Sequence, residues 1–528
     1  MMGAVMVVAA LIRIALIPRQ GLWADEIFSL AIATGHSLEQ PASQSRPEVG
    51  DYYENPQPRP ASFYRAYLKN DGGATIARIT RAVLLSDTNP PLYYLVLHCW
   101  TVALGTSDFS VRMFSLLWSL ATIPLILFIG RRIHSSKAGL IACLIFAMAP
   151  QAIYYSTEGR MYSLVWFLIA AYASAILALH DDGISWDRAL AAILAGAAGL
   201  LTHYFFLFPW IACTLWTLIE PGRTPRWMAI IVGTATTLLV MPWYIHLPAS
   251  LGAWRITGYW LYMRNTRWPR RMAISHLAWS FFSVEGTWGG SKRFDYLAMV
   301  CVVTIVAVAC VRRPRAIMNR KSALLWLWMI AAMLAPSAFD VVRGTFTSVT
   351  DRYVLAGLPA AFILLALCLL EMPGRLGIAA GCVMLLFWTI GDRRIFVNRS
   401  RDSEPYREAA LQINRESPGP DLLIVHSIPS GVLGIARYLD SQVPIFSWVG
   451  QLRVRSMPDD IARTTAGARE VILVKIHQVG EPAPEEEWLR SHARATQTRH
   501  DENADIVFFE MAPSQGAGGA AGDGPPIR

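Results

Sequence analysis

Apolar residues run along this chain in long unbroken blocks, among them 139–150, 163–179 and 230–240. A water-soluble helix or strand would interrupt such runs with polar residues at its own period. A hydrocarbon core about 30 Å thick needs ~20 apolar residues per helix. Eleven segments meet that demand: 3–18, 110–130, 138–155, 161–179, 188–203, 204–219, 227–247, 294–311, 322–338, 353–370 and 376–391. Segment 92–104 is apolar but has only 13 residues, which suits a re-entrant or interfacial helix better than a span. The pattern therefore predicts an α-helical polytopic membrane protein.

The pattern changes near residue 400. Segments 421–427, 443–447, 470–476 and 505–511 read as short buried strands, separated by helical stretches 405–416, 430–439, 457–466 and 484–493. Strands alternating with helices predict a small α/β domain. The expected organisation is a transmembrane domain over 1–395, a soluble α/β domain over 400–512 and a disordered Gly-rich tail over 513–528. Two long loops interrupt the spans, 20–91 and 249–293. The second mixes aromatic side chains such as Trp254, Trp260 and Trp268 with Arg255, Arg264 and Arg267, a pattern suited to the headgroup level. A plain surface connector is the alternative.

Composition agrees with the membrane reading. Hydrophobic residues make up 54% of the 528 positions and charged ones only 16%, with a mean hydropathy of +0.36. Soluble domains carry about 25% charge. The net charge of +9 does not point to nucleic acid, because no basic run lies on a soluble segment with interleaved aromatics. The cations instead punctuate the apolar blocks. With the N-terminus in the cytoplasm, loops 131–137, 180–187, 220–226, 312–321 and 371–375 hold eleven Lys and Arg, against three in the short outward loops 156–160 and 339–352. That asymmetry follows the positive-inside rule. Arg393, Arg394, Arg399 and Arg401, which follow the last span on the outside, run against it. The apolar start has no basic n-region and no cleavage site, so it reads as a retained first span. All seven Cys lie in apolar segments without ligand spacing and read as small buried hydrophobes.

Five polar interruptions then stand out, all on the predicted outer side. Asp25 and Glu26 follow the first span, and adjacent acids at a membrane edge are costly unless solvated or used. One can serve as general base toward an acceptor hydroxyl or amine, although a helix cap explains the pair equally well. Asn89-Pro90-Pro91 opens the helix that carries Tyr93, with Asn89 placed to reach a phosphate or a sugar hydroxyl. Glu158 and Arg160, followed by Tyr162, interrupt two spans; a local ion pair competes with contacts to a sugar hydroxyl and an anionic headgroup. His203 lies between two spans, as a phosphate donor or a packing residue. Arg352 and Tyr353 open a late span, where an Arg clamps phosphate or anchors the interface. Acids for proton transfer beside cations for a phosphate describe a site for a lipid-linked phosphosugar.

In order along the chain, LWADEIFSL, NPPLYYLVLHCW, GTSDFSVRMFSLL, YYSTEGRMYSL and DRYVLAGLP resemble the GT-C glycosyltransferases of the dolichyl-phosphate-mannose–protein mannosyltransferase type. These form glycosyltransferase family 39 with its bacterial relatives, the lipid A aminoarabinose transferases among them. The likeness covers roughly residues 1–370. It implies a GT-C fold of about 11–13 membrane helices and an inverting transfer, on the extracytoplasmic face of the cell membrane, from a polyprenyl-phosphate sugar to a lipid, glycan or protein acceptor. It also implies Asp25 as the catalytic acid/base with Glu26 beside it, and Arg160 and Arg352 near the donor phosphate, with no nucleotide and no obligatory metal, a divalent cation being compatible. Where many relatives carry a cation before the prolines, this chain has the neutral Asn89. A transporter or flippase for a lipid-linked substrate, and a non-catalytic sugar-lipid-binding scaffold, are the alternatives; the inverted repeats common in transporters are not evident.

Overall fold

The protein is described from a computed structural model, which covers residues 1–86, 89–252, 292–347, 350–477, 483–501 and 503–511. Most of the aromatic and Arg-rich loop 249–293 and the tail 513–528 lie outside the described residues. The chain divides into two units, residues 1–52 with 66–403, and residues 53–65 with 404 onward.

The first unit is helical. Among the described residues, seven helices are long and apolar enough to cross a membrane, and the bent pair Ser136–Met148 and Pro150–Ser156 makes an eighth if taken as one span. The seven are Met2–Arg19, Asp108–Ile133, Tyr162–Asp182, Arg226–Tyr244, Ser322–Arg343, Asp351–Glu371 and Gly374–Val397. Every one of the eleven predicted segments is helical, but three make less complete spans. Segments 204–219 and 294–311 fall in shorter apolar helices, and 188–203 is the 15-residue helix Trp186–Leu200. The apolar run 188–219 breaks where His203 leaves helical geometry and its Nδ1 accepts the Phe205 N–H at 3.2 Å. Leu92–Leu104 is a helix of 13 residues, begun by Pro91 and ended at Gly105 with φ +77°.

Helix Tyr162–Asp182 packs between Asp108–Ile133 and Trp186–Leu200. Asp108–Ile133 starts at Ser107, whose hydroxyl accepts the Ser110 N–H at 3.1 Å, a serine cap on one of the N-terminal amides. It packs against Ser136–Met148 with the two backbones in close approach at Gly130 and Gly139. A Cβ on Gly130 would stand 2.6 Å from the Gly139 Cα, so glycine on both sides sets the spacing.

The two ends of the bundle differ in chemistry. At one end ion pairs link all five of the predicted cytoplasmic loops. Arg132 grips Asp182 at 2.8 and 2.9 Å, and Lys321 reaches Asp181 at 2.8 Å. Arg320 reaches Glu220 at 3.5 Å, and His134 meets Glu371 at 2.9 Å. The other end gathers the polar interruptions singled out above.

The second unit is a six-stranded sheet in the order β1-β3-β2-β4-β6-β5: β1 Arg59–Pro60, β2 Leu422–His426, β3 Pro444–Trp448, β4 Glu470–Ile476, β5 Ala493–Asp501 and β6 Ala504–Met511. β2 pairs in parallel with β3 on one side and β4 on the other, while β1, β5 and β6 pair antiparallel. The strands read from sequence are the central ones, buried on both faces and therefore continuously apolar. Two strands escaped that reading. β5 is mostly exposed and polar, so it has no apolar run. β1 is two residues from the first long loop, tied in by Ala61 N–H to the Val443 carbonyl at 2.9 Å.

Candidate active site

The turn after the first span is built around Glu26. Helix Ala24–Ala33 begins at Trp23, whose backbone N–H donates to Glu26 Oε2 at 3.3 Å, the reach-back of a residue in the first helical turn. Arg112 Nε donates to Glu26 Oε1 at 2.8 Å and Nη2 to Oε2 at 2.6 Å. The same guanidinium donates to the carbonyls of Ile17, Gln20 and Gly21 at 3.0, 2.6 and 2.7 Å. Gly159 N–H adds a further bond to Glu26 Oε1 at 2.7 Å. Burial pulls this carboxyl upward, but Arg112 and the Gly159 amide outweigh it and hold Glu26 below the ordinary carboxylate range. Both Glu26 and Arg112 are fully buried. A bidentate pair whose donors are all spent fixes a turn and has no reach toward a substrate.

Asp25, one residue earlier, stands in different surroundings. Its side chain is 24% exposed, and its Oδ2 lies 3.7 Å from Arg160 Nη2 and 3.7 Å from Arg352 Nη1. Arg160 Nη1 also donates to Ser29 Oγ at 3.0 Å and to the Asp25 carbonyl at 3.4 Å. Arg352 lies over the Trp23 ring, 5.3 Å from its centroid, and 4.0 Å from Asp402 Oδ2. Two guanidinium groups and two partly exposed carboxylates, Asp25 and Asp402, therefore share a small patch, with Ser29 and Trp23 supporting them.

Glu158 and Arg160 turn to different partners, although they are two residues apart. Trp23 donates its indole N–H to Glu158 Oε1 at 3.1 Å, and Arg401 Nη1 approaches Oε2 at 4.0 Å. Burial pushes the Glu158 carboxyl up to about 8, against the pull of Arg401. Arg401, one of the outward cations at odds with the topology rule, is buried here. It donates to the Tyr154 carbonyl at 3.1 Å and Thr157 Oγ1 at 3.0 Å.

An aromatic wall continues from the patch. Tyr155, Tyr162, His203 and Tyr353 follow one another with ring centroids 5.2, 6.1 and 6.1 Å apart. Asn89 is buried, and its segment is held beside this wall by Leu92 N–H donating to the Leu201 carbonyl at 2.9 Å. Tyr93 is fully buried, with its ring against Phe114 and Tyr94 at 5.8 and 5.4 Å. Asp25, Glu26, Glu158, Arg160, Tyr162, His203, Arg352 and Tyr353 are thus joined through direct or shared contacts. Arg112, Arg401 and Asp402 belong to the same cluster and were not anticipated. Arg112 had a signal, a cation set inside the apolar run 110–130. Arg401 and Asp402 had none beyond their place at the change of composition. Among the described residues, no group of three or more His, Cys, Asp or Glu side chains could hold a metal ion.

Residues 88–246 match the family described as dolichyl-phosphate-mannose-protein mannosyltransferase. No curated protein matches the chain by sequence. Among solved structures, the ArnT of Cupriavidus metallidurans bound to undecaprenyl phosphate superposes with a TM-score of 0.53 at 12% identity, over 96% of this chain and 97% of that one. Its apo form gives 0.52 at 12% identity, over 90% and 95%. The arabinofuranosyltransferase AftD from Mycobacteria gives 0.50 at 12% identity, over 97% of this chain and 40% of that one. The chain has the GT-C fold of these membrane glycosyltransferases, and over residues 88–246 it matches the dolichyl-phosphate-mannose-protein mannosyltransferase family in sequence.

Proposed function

We propose that this protein transfers a sugar from a polyprenyl-phosphate donor to a lipid, glycan or protein acceptor on the extracytoplasmic side of a cell membrane, with inversion at the anomeric carbon. The observation that carries the reading is the Asp25 carboxylate, reachable from solvent and set 3.7 Å from both Arg160 and Arg352. The family match and the fold shared with an ArnT that was solved with undecaprenyl phosphate support the same chemistry.

In this reading Asp25 takes the proton from the acceptor as its oxygen or nitrogen bonds to the anomeric carbon. The bond from that carbon to the phosphate oxygen breaks on the opposite face. The departing polyprenyl phosphate gathers negative charge, which Arg160 and Arg352 stabilise from fixed positions. Glu26 is assigned to the turn that aims Asp25, because both its oxygens are taken by Arg112. Tyr162, His203 and Tyr353 offer an aromatic flank for the sugar or the lipid, and Asn89 a neutral amide near it.

The test is transfer by purified protein in nanodiscs, supplied with labelled polyprenyl-phosphate sugars. Loss of a general base costs on the order of 10²–10⁴-fold, so Asp25→Asn is expected to fall in that range with donor binding retained. Full transfer by the Asn variant would overturn the assignment. Vesicle uptake without any transferase activity would replace it with transport.

A further inference from the structure

Arg13 lies in the last turn of helix Met2–Leu16, within the first candidate span, and none of its side chain is exposed. A guanidinium at membrane depth is retained only where its donors are answered. Arg13 Nε donates to Ser156 Oγ at 2.7 Å. Nη1 donates to the Ala147 carbonyl at 2.9 Å and to the Ala9 carbonyl of its own helix at 3.2 Å. Nη2 donates to the Phe146 carbonyl at 3.0 Å.

Three of those acceptors belong to the one broken span. Helix Ser136–Met148 and helix Pro150–Ser156 meet at an angle of 63°. In an α-helix the Phe146 carbonyl would receive the N–H four residues on, but that residue is Pro150, which has none. The Ala147 carbonyl would receive the N–H of Gln151, which lies beyond the bend. A helix C-terminus with unanswered carbonyls is costly in hydrocarbon, and a cation there also complements the helix dipole. Arg13 fills both carbonyls and reaches across the break to Ser156.

Ser156 ends the second half and leads directly into the turn Thr157-Glu158-Gly159-Arg160. That turn is held at two further points, by Arg401 on Thr157 and by Glu26 on the Gly159 amide at 2.7 Å. We infer that Arg13 is a positioning residue: it splints the broken span across its 63° bend and so sets where Glu158 and Arg160 face the site. It touches no substrate itself. The consequence for ligand binding rests on the proposed role of Arg160 as a phosphate contact.

The test compares Arg13→Gln and Arg13→Lys with wild type, as full-length protein in nanodiscs. Lys keeps the charge but lacks the fork that answers acceptors on both sides of the bend. Amide hydrogen exchange over residues 157–161 is expected to quicken by about tenfold or more in both variants, while loop 180–187 at the far end of the bundle keeps its wild-type rates. Undecaprenyl phosphate is expected to bind about tenfold more weakly in Arg13→Gln, and Arg13→Gln added to Arg160→Gln is expected to cost nothing further. Unchanged exchange at 157–161 in both variants overturns the splint. Faster exchange with undecaprenyl phosphate binding untouched in Arg13→Gln and Arg160→Gln alike upholds the splint and overturns the phosphate role of Arg160.

Discussion

At the residue scale, adjacent acids with the same side-chain chemistry are separated by what surrounds them. Glu26 receives three charge-assisted or amide bonds within 2.8 Å, whereas Asp25 meets its two cations at 3.7 Å with part of its surface open. Glu158 shows the opposite balance to Glu26. Burial is the larger influence there, and Arg401 at 4.0 Å is too distant to reverse it. With its carboxyl pushed up to about 8, Glu158 holds its proton at pH 7 and loses it as the pH climbs past that value. The folded chain binds that proton more tightly than the unfolded chain does, so its contribution to stability is complete below the ordinary Glu value of about 4.3 and fades as pH rises through about 8. Glutamine resembles the protonated form. Glu158→Gln is therefore expected to keep activity within a few-fold of wild type at pH 7 and to lose the alkaline decline in melting temperature between pH 7 and pH 9. A loss on the order of 100-fold at pH 7 would show that a charged Glu158 takes part in the reaction.

At the element scale, the sequence disclosed what depends on runs and missed what depends on partners. The apolar blocks located every membrane helix in the described residues, and the central strands β2, β3, β4 and β6 were legible because burial on both faces makes them continuous. The split of 188–219 at His203 and the bend at Pro150 depend on local hydrogen bonds that hydropathy does not register. Asp25, Glu158, Arg160 and Arg352 were legible as polar residues out of place, but the Arg112 clasp on Glu26 joins positions 86 apart and needed the fold. The strap from the first loop is the clearest omission. Glu54 accepts the Val449 N–H at 2.8 Å and lies 3.6 Å from Arg455, fully buried in the second unit. Burial pushes its carboxyl up to about 7, with Arg455 and the Val449 amide opposing. Its contribution to the stability of that unit is thus present below about 4.3 and lost as pH rises through about 7, a swing of at most roughly 4 kcal/mol. Protection factors for amide exchange in β2 and β3, corrected for the intrinsic pH dependence of exchange, are expected to be lower at pH 8 than at pH 6 in wild type. Glu54→Gln, which keeps an acceptor for Val449, is expected to flatten that difference; an equal pH response in the variant would remove Glu54 as its source.

At the scale of the whole molecule, charge is sorted by function as well as by sign. The five loops that carry most of the short-loop Lys and Arg are tied together by Arg132–Asp182, Lys321–Asp181, Arg320–Glu220 and His134–Glu371 at one end of the helices. At the other end Arg13, Arg112, Arg160 and Arg401 are buried, and they are spent on Glu26, Asp25, Glu158 and the broken span. Cations retained on the cytoplasmic side resist translocation, whereas the buried Arg residues opposite have their donors answered by carbonyls, hydroxyls and carboxyls of the folded chain. This division accounts for Arg401, which counts against the orientation as a loop charge yet sits within the folded site. The orientation itself follows as a prediction. In a variant whose seven native cysteines are replaced, a cysteine at exposed Lys69 is expected to react with an impermeant maleimide added to intact cells. A cysteine at exposed Arg315 is expected to react only after the membrane is opened. The reverse labelling would place Asp25 on the cytoplasmic side, where a nucleotide-linked donor is available, and the polyprenyl-phosphate reading of the Arg160–Arg352 pair would lose its rationale.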